Sequence, residues 1–443
     1  MSSAADTQWI TAMALGSIAL ALAVAAAFIA LARRLRQPAV VGEILAGICL
    51  GPSLLGLLPH HLPDVLLPPA VRPHLTVAAH LGLLLFMFLL GWELDTKELR
   101  GQRRTIGGLW AVSALVPLIL GSVLGAGLFA TADTVSRPGV RLVEFTLFMG
   151  TAMAIAAFPV LARIITDLKL QSTSVGRLAL TLATLDDVLA WTLLALVTAL
   201  VHAAGPGDFL HVLGWGLVYT LVMFAVVRPA LARLARLARQ SAPQLGMLAA
   251  AGALASSYVT AEIGLHPILG AFVFGLVMPR GVRAQALHTA VRGPLESLAK
   301  LLLPVYFVVT GMSMDLTALG WTGVLYIFLA LTVASIGKAG GVLLAARITR
   351  LDRHQRLPLA ILMNTRGLTE LVILNAGLEL GLLSTQLFTA MTIVALITTA
   401  ATSPLLGLVL RRTSADAALG RHRSPADAAP PPPHPQPFAQ QES

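Results

Sequence analysis

Two adjacent aspartates, Asp186 and Asp187, stand in the run Leu185-Asp186-Asp187-Val188-Leu189-Ala190-Trp191, near the middle of a long apolar stretch. A carboxylate at the centre of a bilayer costs about 2.5–3.5 kcal/mol on insertion scales, so a pair held there points to function. Neighbouring residues on a helix differ by about 100° in direction, which lets both carboxylates share one cavity without facing each other. Such a pair titrates as a coupled system rather than as two separate acids. A site that is protonated or cation-bound, and seldom bare, is what exchange chemistry requires. The competing reading is a salt bridge between helices that only holds a bundle together.

Other charged residues in apolar runs could serve the pair. Lys338 lies in Gly337-Lys338-Ala339-Gly340-Gly341, where glycines permit close helix approach. Its ammonium needs an acidic partner, and one of the two aspartates is the candidate; otherwise it snorkels toward the cytoplasmic interface. Arg366 and Glu370, four residues apart, lie on one helix face and can pair with each other as a structural unit. Around them Asn364, Thr365 and Gly367 interrupt the apolar run, the mark of a broken helix in a transporter. Phe158-Pro159 is a matching interruption, followed by Arg163 and Asp167. Pro159 lacks a backbone donor and frees a carbonyl one turn earlier, so carbonyls around Ile155 could face a cation; a simple proline kink is the alternative. Glu93 and Asp95, at a membrane border, are expected to be solvated or paired with the nearby basic loop, and Glu43 stays open.

These residues need elements to hold them, and composition says which. Of 443 residues 56% are hydrophobic and 12% charged, about half the charged share of a soluble domain. The surrounding solvent is therefore lipid, and the apolar runs lack the alternation of barrel strands, which leaves helices. Thirteen spans are expected near 8–32, 39–58, 75–93, 105–131, 142–166, 176–202, 209–230, 243–261, 264–281, 297–314, 319–346, 357–380 and 383–410. With the N-terminus outside, the inner loops carry Arg33, Arg34 and Arg36; Lys97, Arg100, Arg103 and Arg104; Lys169 and Arg177; Arg233, Arg236 and Arg239; Arg280, Arg283 and Arg292; and Arg347, Arg350, Arg353 and Arg356. The outer loops hold only Arg72, Arg137 and Arg141. That asymmetry supports N-outside, C-inside and an odd number of spans. It also accounts for the net charge of +10 without nucleic acid.

The first apolar run has no basic residue before it and reads as a spanning helix, not a cleaved signal. A membrane domain over 1–411 is expected, then a Pro- and Ala-rich cytoplasmic tail over 412–443 that cannot bury enough apolar surface to order. Cys49 stands alone, so an intramolecular disulfide is impossible. An internal repeat is faintly visible: Phe86, Gly91 and Asp95 recur in spacing as Tyr306, Gly311 and Asp315. Seven helices separate the copies, an odd offset, so they cross in opposite directions as in inverted-repeat transporters. No nucleotide-binding loop, His/Cys metal spacing or Ser-His-Asp arrangement is present, so neither an enzyme nor a cofactor is implied.

Taken in order, these residues resemble the monovalent cation/proton antiporter superfamily, in the branch of bacterial sodium or potassium/proton antiporters and plant cation/proton exchangers. The resemblance runs from about Arg34 to Leu406. It rests on Gln37-Pro38-Ala39-Val40-Val41-Gly42-Glu43, Gly51-Pro52-Ser53, Gly91-Trp92-Glu93-Leu94-Asp95, Phe158-Pro159-Val160-Leu161-Ala162-Arg163, the aspartate pair, and Asn364-Thr365-Arg366-Gly367-Leu368. It implies an all-α fold with crossed, broken fifth and twelfth helices, a core and a dimerisation domain, a homodimer, and an elevator-like movement in a bacterial cytoplasmic membrane. It implies that Asp187 binds the ion or proton, and that Asp186 pairs with Lys338 as in electrogenic members, with more than one proton per cation. Relatives commonly carry Ser and Thr where this chain has Ala154 and Ala156, so coordination would lean on backbone carbonyls, Thr151 and water. The 412–443 tail is too short for the regulatory nucleotide-binding domain of potassium-efflux relatives, so glutathione-gated efflux is not expected. A channel-like potassium efflux protein and a non-transporting ion sensor are the rival readings.

Overall fold

Runs this apolar can satisfy their backbone only within themselves, and the described residues contain helices and no strand. The computed structural model describes residues 4–35, 37–57, 66–93, 103–131, 139–171, 173–203, 205–237, 242–280 and 285–421. In chain order the helices are α1 (Ala4–Arg34), α2 (Ala39–Leu50), α3 (Arg72–Glu93), α4 (Arg103–Thr131), α5 (Leu142–Ala154) and α6 (Phe158–Asp167). There follow α7 (Ser174–His202), α8 (Pro206–Val222), α9 (Arg228–Leu237), α10 (Ala242–Ile263), α11 (Pro267–Val277) and α12 (Gln285–Met312). The last are α13 (Gly320–Ser335), α14 (Gly341–Ile348), α15 (Arg353–Met363), α16 (Leu368–Glu379) and α17 (Thr385–Arg421). Single π turns, Met223–Val227 and Ile336–Gly340, join α8 to α9 and α13 to α14.

Eleven segments among the described residues are long and apolar enough to cross a membrane. They coincide with eleven of the thirteen expected spans. The other two, the eighth and ninth, correspond to α10 and α11. Ser256, Ser257, Thr260 and Glu262 dilute the apolar character of α10. The 11 residues of α11 fall short of the roughly 20 that a straight crossing takes. The tail expected beyond 411 begins as a continuation of α17 to Arg421, and the remainder lies outside the described residues.

Helix packing falls into two sets. In one, α3 packs on α11 and α12, α2 on α1 and α12, and α10 on α11 and α12. In the other, α4 packs on α5 and α14, α7 on α5 and α15, and α17 on α13, α15 and α16. The internal repeat is built into the first set. A Cβ on Gly91 of α3 would strike the Phe272 carbonyl oxygen of α11, and one on Gly275 the Phe88 oxygen. Likewise a Cβ on Gly311 of α12 would strike the Ile44 oxygen of α2, and one on Gly47 the Val308 oxygen. In each crossing a glycine meets the carbonyl three residues before its partner glycine, so the two contacts are equivalent. Glycine lets the backbones approach that closely. Asp95, the last member of the repeat, lies outside the described residues.

Candidate functional site

The expected breaks in the fifth and twelfth spans are real, and they meet. Pro159 does not kink a continuous helix: α5 stops at Ala154, residues 155–157 are extended, and α6 restarts with Pro159 in its first turn. Across from it α15 ends at Met363 and α16 begins at Leu368, leaving Asn364 to Gly367 non-helical. The Ala157 N–H donates to the Thr365 carbonyl at 3.2 Å, tying the two extended segments together. A Cβ on Gly367 would lie 2.6 Å from Val160 Cγ2, so the crossing closes there only with glycine.

A helix that stops inside a protein leaves its last carbonyls without donors, at the negative end of its dipole. The C-terminus of α5 is capped by two cations. Arg366 Nη1 donates to the Ala152 carbonyl and Nη2 to that of Met153, each at 2.9 Å, while Lys338 Nζ donates to the Ala154 carbonyl at 2.5 Å. Arg366 also pairs with Glu370 at 2.5 Å, and its own carbonyl accepts from the Thr399 hydroxyl. Thr365 and Thr402 share a hydroxyl contact of 3.2 Å. The pairing of Arg366 with Glu370 is as expected, but the fork reaching α5 is additional. The carbonyls of Ala152, Met153 and Ala154 are therefore occupied by the protein's own cations. Ile155 follows them as an extended, buried residue.

The two aspartates come from α7, a continuous helix capped by Thr173, whose hydroxyl accepts from the Gly176 N–H. Asp186 Oδ2 lies 2.6 Å from Lys338 Nζ, and both side chains are buried. Lys338 thus has the partner that its position demands, and the snorkelling alternative falls. It sits in the π turn Ile336–Gly340, an irregularity common at functional sites. Asp187 is fully buried, at 0% exposure, and among the described residues no cationic side chain forms an ion pair with it. Its polar neighbours are the Phe158 N–H at the start of α6 and the Thr369 hydroxyl in the first turn of α16. Asp187 therefore lies where two half-helices present their positive N-termini. Asp186 meets the Trp110 indole and the Ala156 backbone besides Lys338, and Asn364 Oδ1 is buried without a partner. Such a group costs on the order of 1–3 kcal/mol when left unpaired. Buried polar groups from α7 and from the two helix breaks thus gather at one crossing.

The remaining candidates are less engaged. Thr151 is buried and donates to the Leu147 carbonyl at 2.7 Å, which leaves its oxygen free to accept. Ala154 and Ala156 are buried in the break and bring no hydroxyl to it. Glu93 pairs with Arg292 of α12, and Glu43 is buried within electrostatic reach of Arg163 and Arg33. Near those arginines a cleft of about 760 Å³ opens between the two helix sets, lined by Arg33, Gln37, Arg163 and Ser403 among others. Sequence reasoning missed Thr369, Thr399 and Thr402. The last two belong to a Thr398, Thr399, Thr402 cluster on α17 that a search for buried hydroxyls would have flagged. No group of three or more His, Cys, Asp or Glu side chains suited to a resident metal occurs among the described residues.

The transmembrane model of the sodium/hydrogen exchanger family matches residues 18–412. The chain belongs to the sodium/hydrogen exchanger family. Among its relatives, the Na(+)/H(+) antiporter NhaS4 of Synechocystis sp. is 38% identical over 84% of this chain and 91% of its own length. Cation/H(+) antiporter 17 of Arabidopsis thaliana is 38% identical over 85% of this chain, and K(+)/H(+) antiporter 1 of Saccharomyces cerevisiae 32% identical over 85%. This exchanger spans 46% and 44% of those two longer proteins. The sodium proton antiporter MjNhaP1 from Methanocaldococcus jannaschii superposes with a TM-score of 0.68 at 15% identity, covering 89% of this chain and 96% of that one, which shows a shared fold. The exchanger is thus a multi-pass membrane transporter and not an enzyme.

Proposed function

We propose that this exchanger moves a monovalent cation, Na⁺ or K⁺, against protons by alternating access, with Asp187 as the carrier carboxylate. The observation that carries the reading is the full burial of Asp187 with no cationic side chain paired to it among the described residues, Lys338 being held by Asp186 and Arg366 by Glu370. A bare carboxylate in such a place is costly, so it must hold either a proton or a cation. Exchange follows from that competition, because one ligand leaves as the other arrives. The names of the relatives, sodium/proton and potassium/proton antiporters, support both candidate ions.

Asp186 and Lys338 supply the second charge. A cation drawn to Asp187 competes with the Lys338 ammonium for the neighbouring carboxylate, so a second proton can leave with the first. Exchange of more than one proton per cation then moves net charge, and the rate responds to membrane voltage. The fold's two helix sets fit a moving core against a fixed support, and a homodimer in a bacterial cytoplasmic membrane follows from the family resemblance.

A binding measurement tests this without transport. Adding Na⁺ or K⁺ to weakly buffered purified protein should release protons into the medium. The release should vanish in Asp187→Asn, which keeps the shape and removes the charge. An undiminished release from Asp187→Asn would refute the assignment.

A further inference from the structure

Away from the crossing, three helices meet around one carboxylate. Glu379 closes α16, His80 lies on α3, and His266 is the N-cap of α11. His80 Nε2 faces Glu379 Oε1 at 3.4 Å, and His266 Nε2 faces Oε2 at 3.5 Å. Asn375 Nδ2 donates to Oε1 at 2.9 Å. From α12, Tyr306 lies within electrostatic reach of Glu379 and beside Asn375. Helices α1 and α10 also pack on α3, and among the described residues neither places a charged side chain in an ion pair with His80 or Glu379.

The two imidazoles differ in what holds the opposite nitrogen. His266 Nδ1 accepts from the Ile268 N–H at 3.4 Å, so its Nε2 carries the proton and the neutral ring suits both neighbours. His80 Nδ1 lies 2.9 Å from the Thr76 carbonyl, which can only accept, so that nitrogen carries a proton. A neutral His80 would then aim the lone pair of Nε2 at a carboxylate oxygen. Only the imidazolium suits an acceptor on each side. The same tautomer reasoning argues against a metal between the rings, because His266 Nε2 has no lone pair to offer.

Placement gives the proton a consequence. Glu379 belongs to the helix set that carries the breaks, while His80 and His266 belong to the other. Water can reach the cluster, since the Glu379 side chain is 41% exposed and lines an open pocket of about 420 Å³ with Arg141 and Glu144. On the topology expected from the loop charges, this is the outer side, and the wide cleft at Arg33 and Arg163 is the inner one.

We propose that His80 is a second proton-binding site, facing the external solution, and that its proton latches the end of α16 to α3 and holds the two helix sets in the arrangement described here. Losing the proton turns an ion pair into a repulsive contact and frees the sets to move. External acid then slows exchange by holding the latch shut. The consequence for rate rests on the antiport reading above; the proton site itself does not.

Two measurements separate them. In uniformly oriented proteoliposomes at fixed internal pH, exchange should fall several-fold as external pH drops through the histidine range, about pH 8 to 5.5. His80→Gln should abolish that fall, and His266→Gln should retain it. In nanodiscs, ¹⁵N-histidine NMR should show one imidazole titration that disappears in His80→Gln and moves in Glu379→Gln. A His80→Gln variant with the wild-type external pH profile would overturn the latch. A His80 signal indifferent to Glu379→Gln would overturn the site. The expected NMR with no exchange by folded protein would support the site and remove the antiport reading alone.

Discussion

Lys338 and Asp186 meet at 2.6 Å with both side chains buried, and the same ammonium donates to the Ala154 carbonyl at 2.5 Å. One side chain thus joins three elements: the π turn that bears it, the aspartate helix α7, and the broken end of α5. Removing it would strand a carboxylate and a helix terminus together.

Lys338→Ala should therefore destabilise the protein by about 3–5 kcal/mol, the range for breaking one side of a buried pair. Asp186→Asn added to it should recover part of that loss, since the stranded charge is gone. Thermal unfolding of the two single variants and the double variant in one detergent checks the coupling. Purely additive shifts would mean that the two side chains do not interact.

Arg366 does work that lysine cannot. Its planar fork reaches the Ala152 and Met153 carbonyls while holding Glu370, and an ammonium cannot span all three. Arg366→Lys should lower both melting temperature and transport, despite the conserved charge. Recovery of wild-type values in that variant would show that charge alone matters there.

The equivalent glycine contacts predict equivalent damage. Alanine at Gly91, Gly275, Gly47 or Gly311 meets a backbone carbonyl that cannot turn aside, so each variant should lose folded yield on size-exclusion chromatography. Gly214→Ala, with open space around it, should behave as wild type. A tolerated alanine at one crossing but not the other would break the proposed symmetry.

Gly367→Ala makes a subtler case. Its new methyl meets the Val160 side chain, which can be shortened. Transport should fall in Gly367→Ala with the fold retained, and Val160→Ala should restore much of it. A double variant no better than the single one would place the defect elsewhere.

How much of this was readable beforehand depended on the range of the contact. A charge within an apolar run announces itself, so Asp186, Asp187, Lys338, Arg366 and Glu370 could be named from the chain. Local chemistry likewise placed the breaks at Pro159 and at Asn364 to Gly367. What stayed hidden were partners joined only by folding. Arg366 reaches the Ala152 carbonyl across 214 residues, and backbone carbonyls carry no signal in a sequence. The π turn under Lys338 has no pattern distinct from an ordinary helix. Thr369 looked like any threonine, and Glu379 could not be linked to His80 and His266 before the helices were packed. The count of spans was least legible around α10 and α11, because a short helix buried by its neighbours needs neither length nor strong hydropathy.

Cation-driven proton movement in proteoliposomes tests the central claim most directly. Na⁺, K⁺ and Li⁺ are added separately to acid-loaded vesicles, with Asp187→Ala reconstituted in parallel. Proton efflux driven by at least one cation, and lost in Asp187→Ala, is the expected result. Efflux that survives in Asp187→Ala, or none with any cation from folded wild-type protein, would contradict the account.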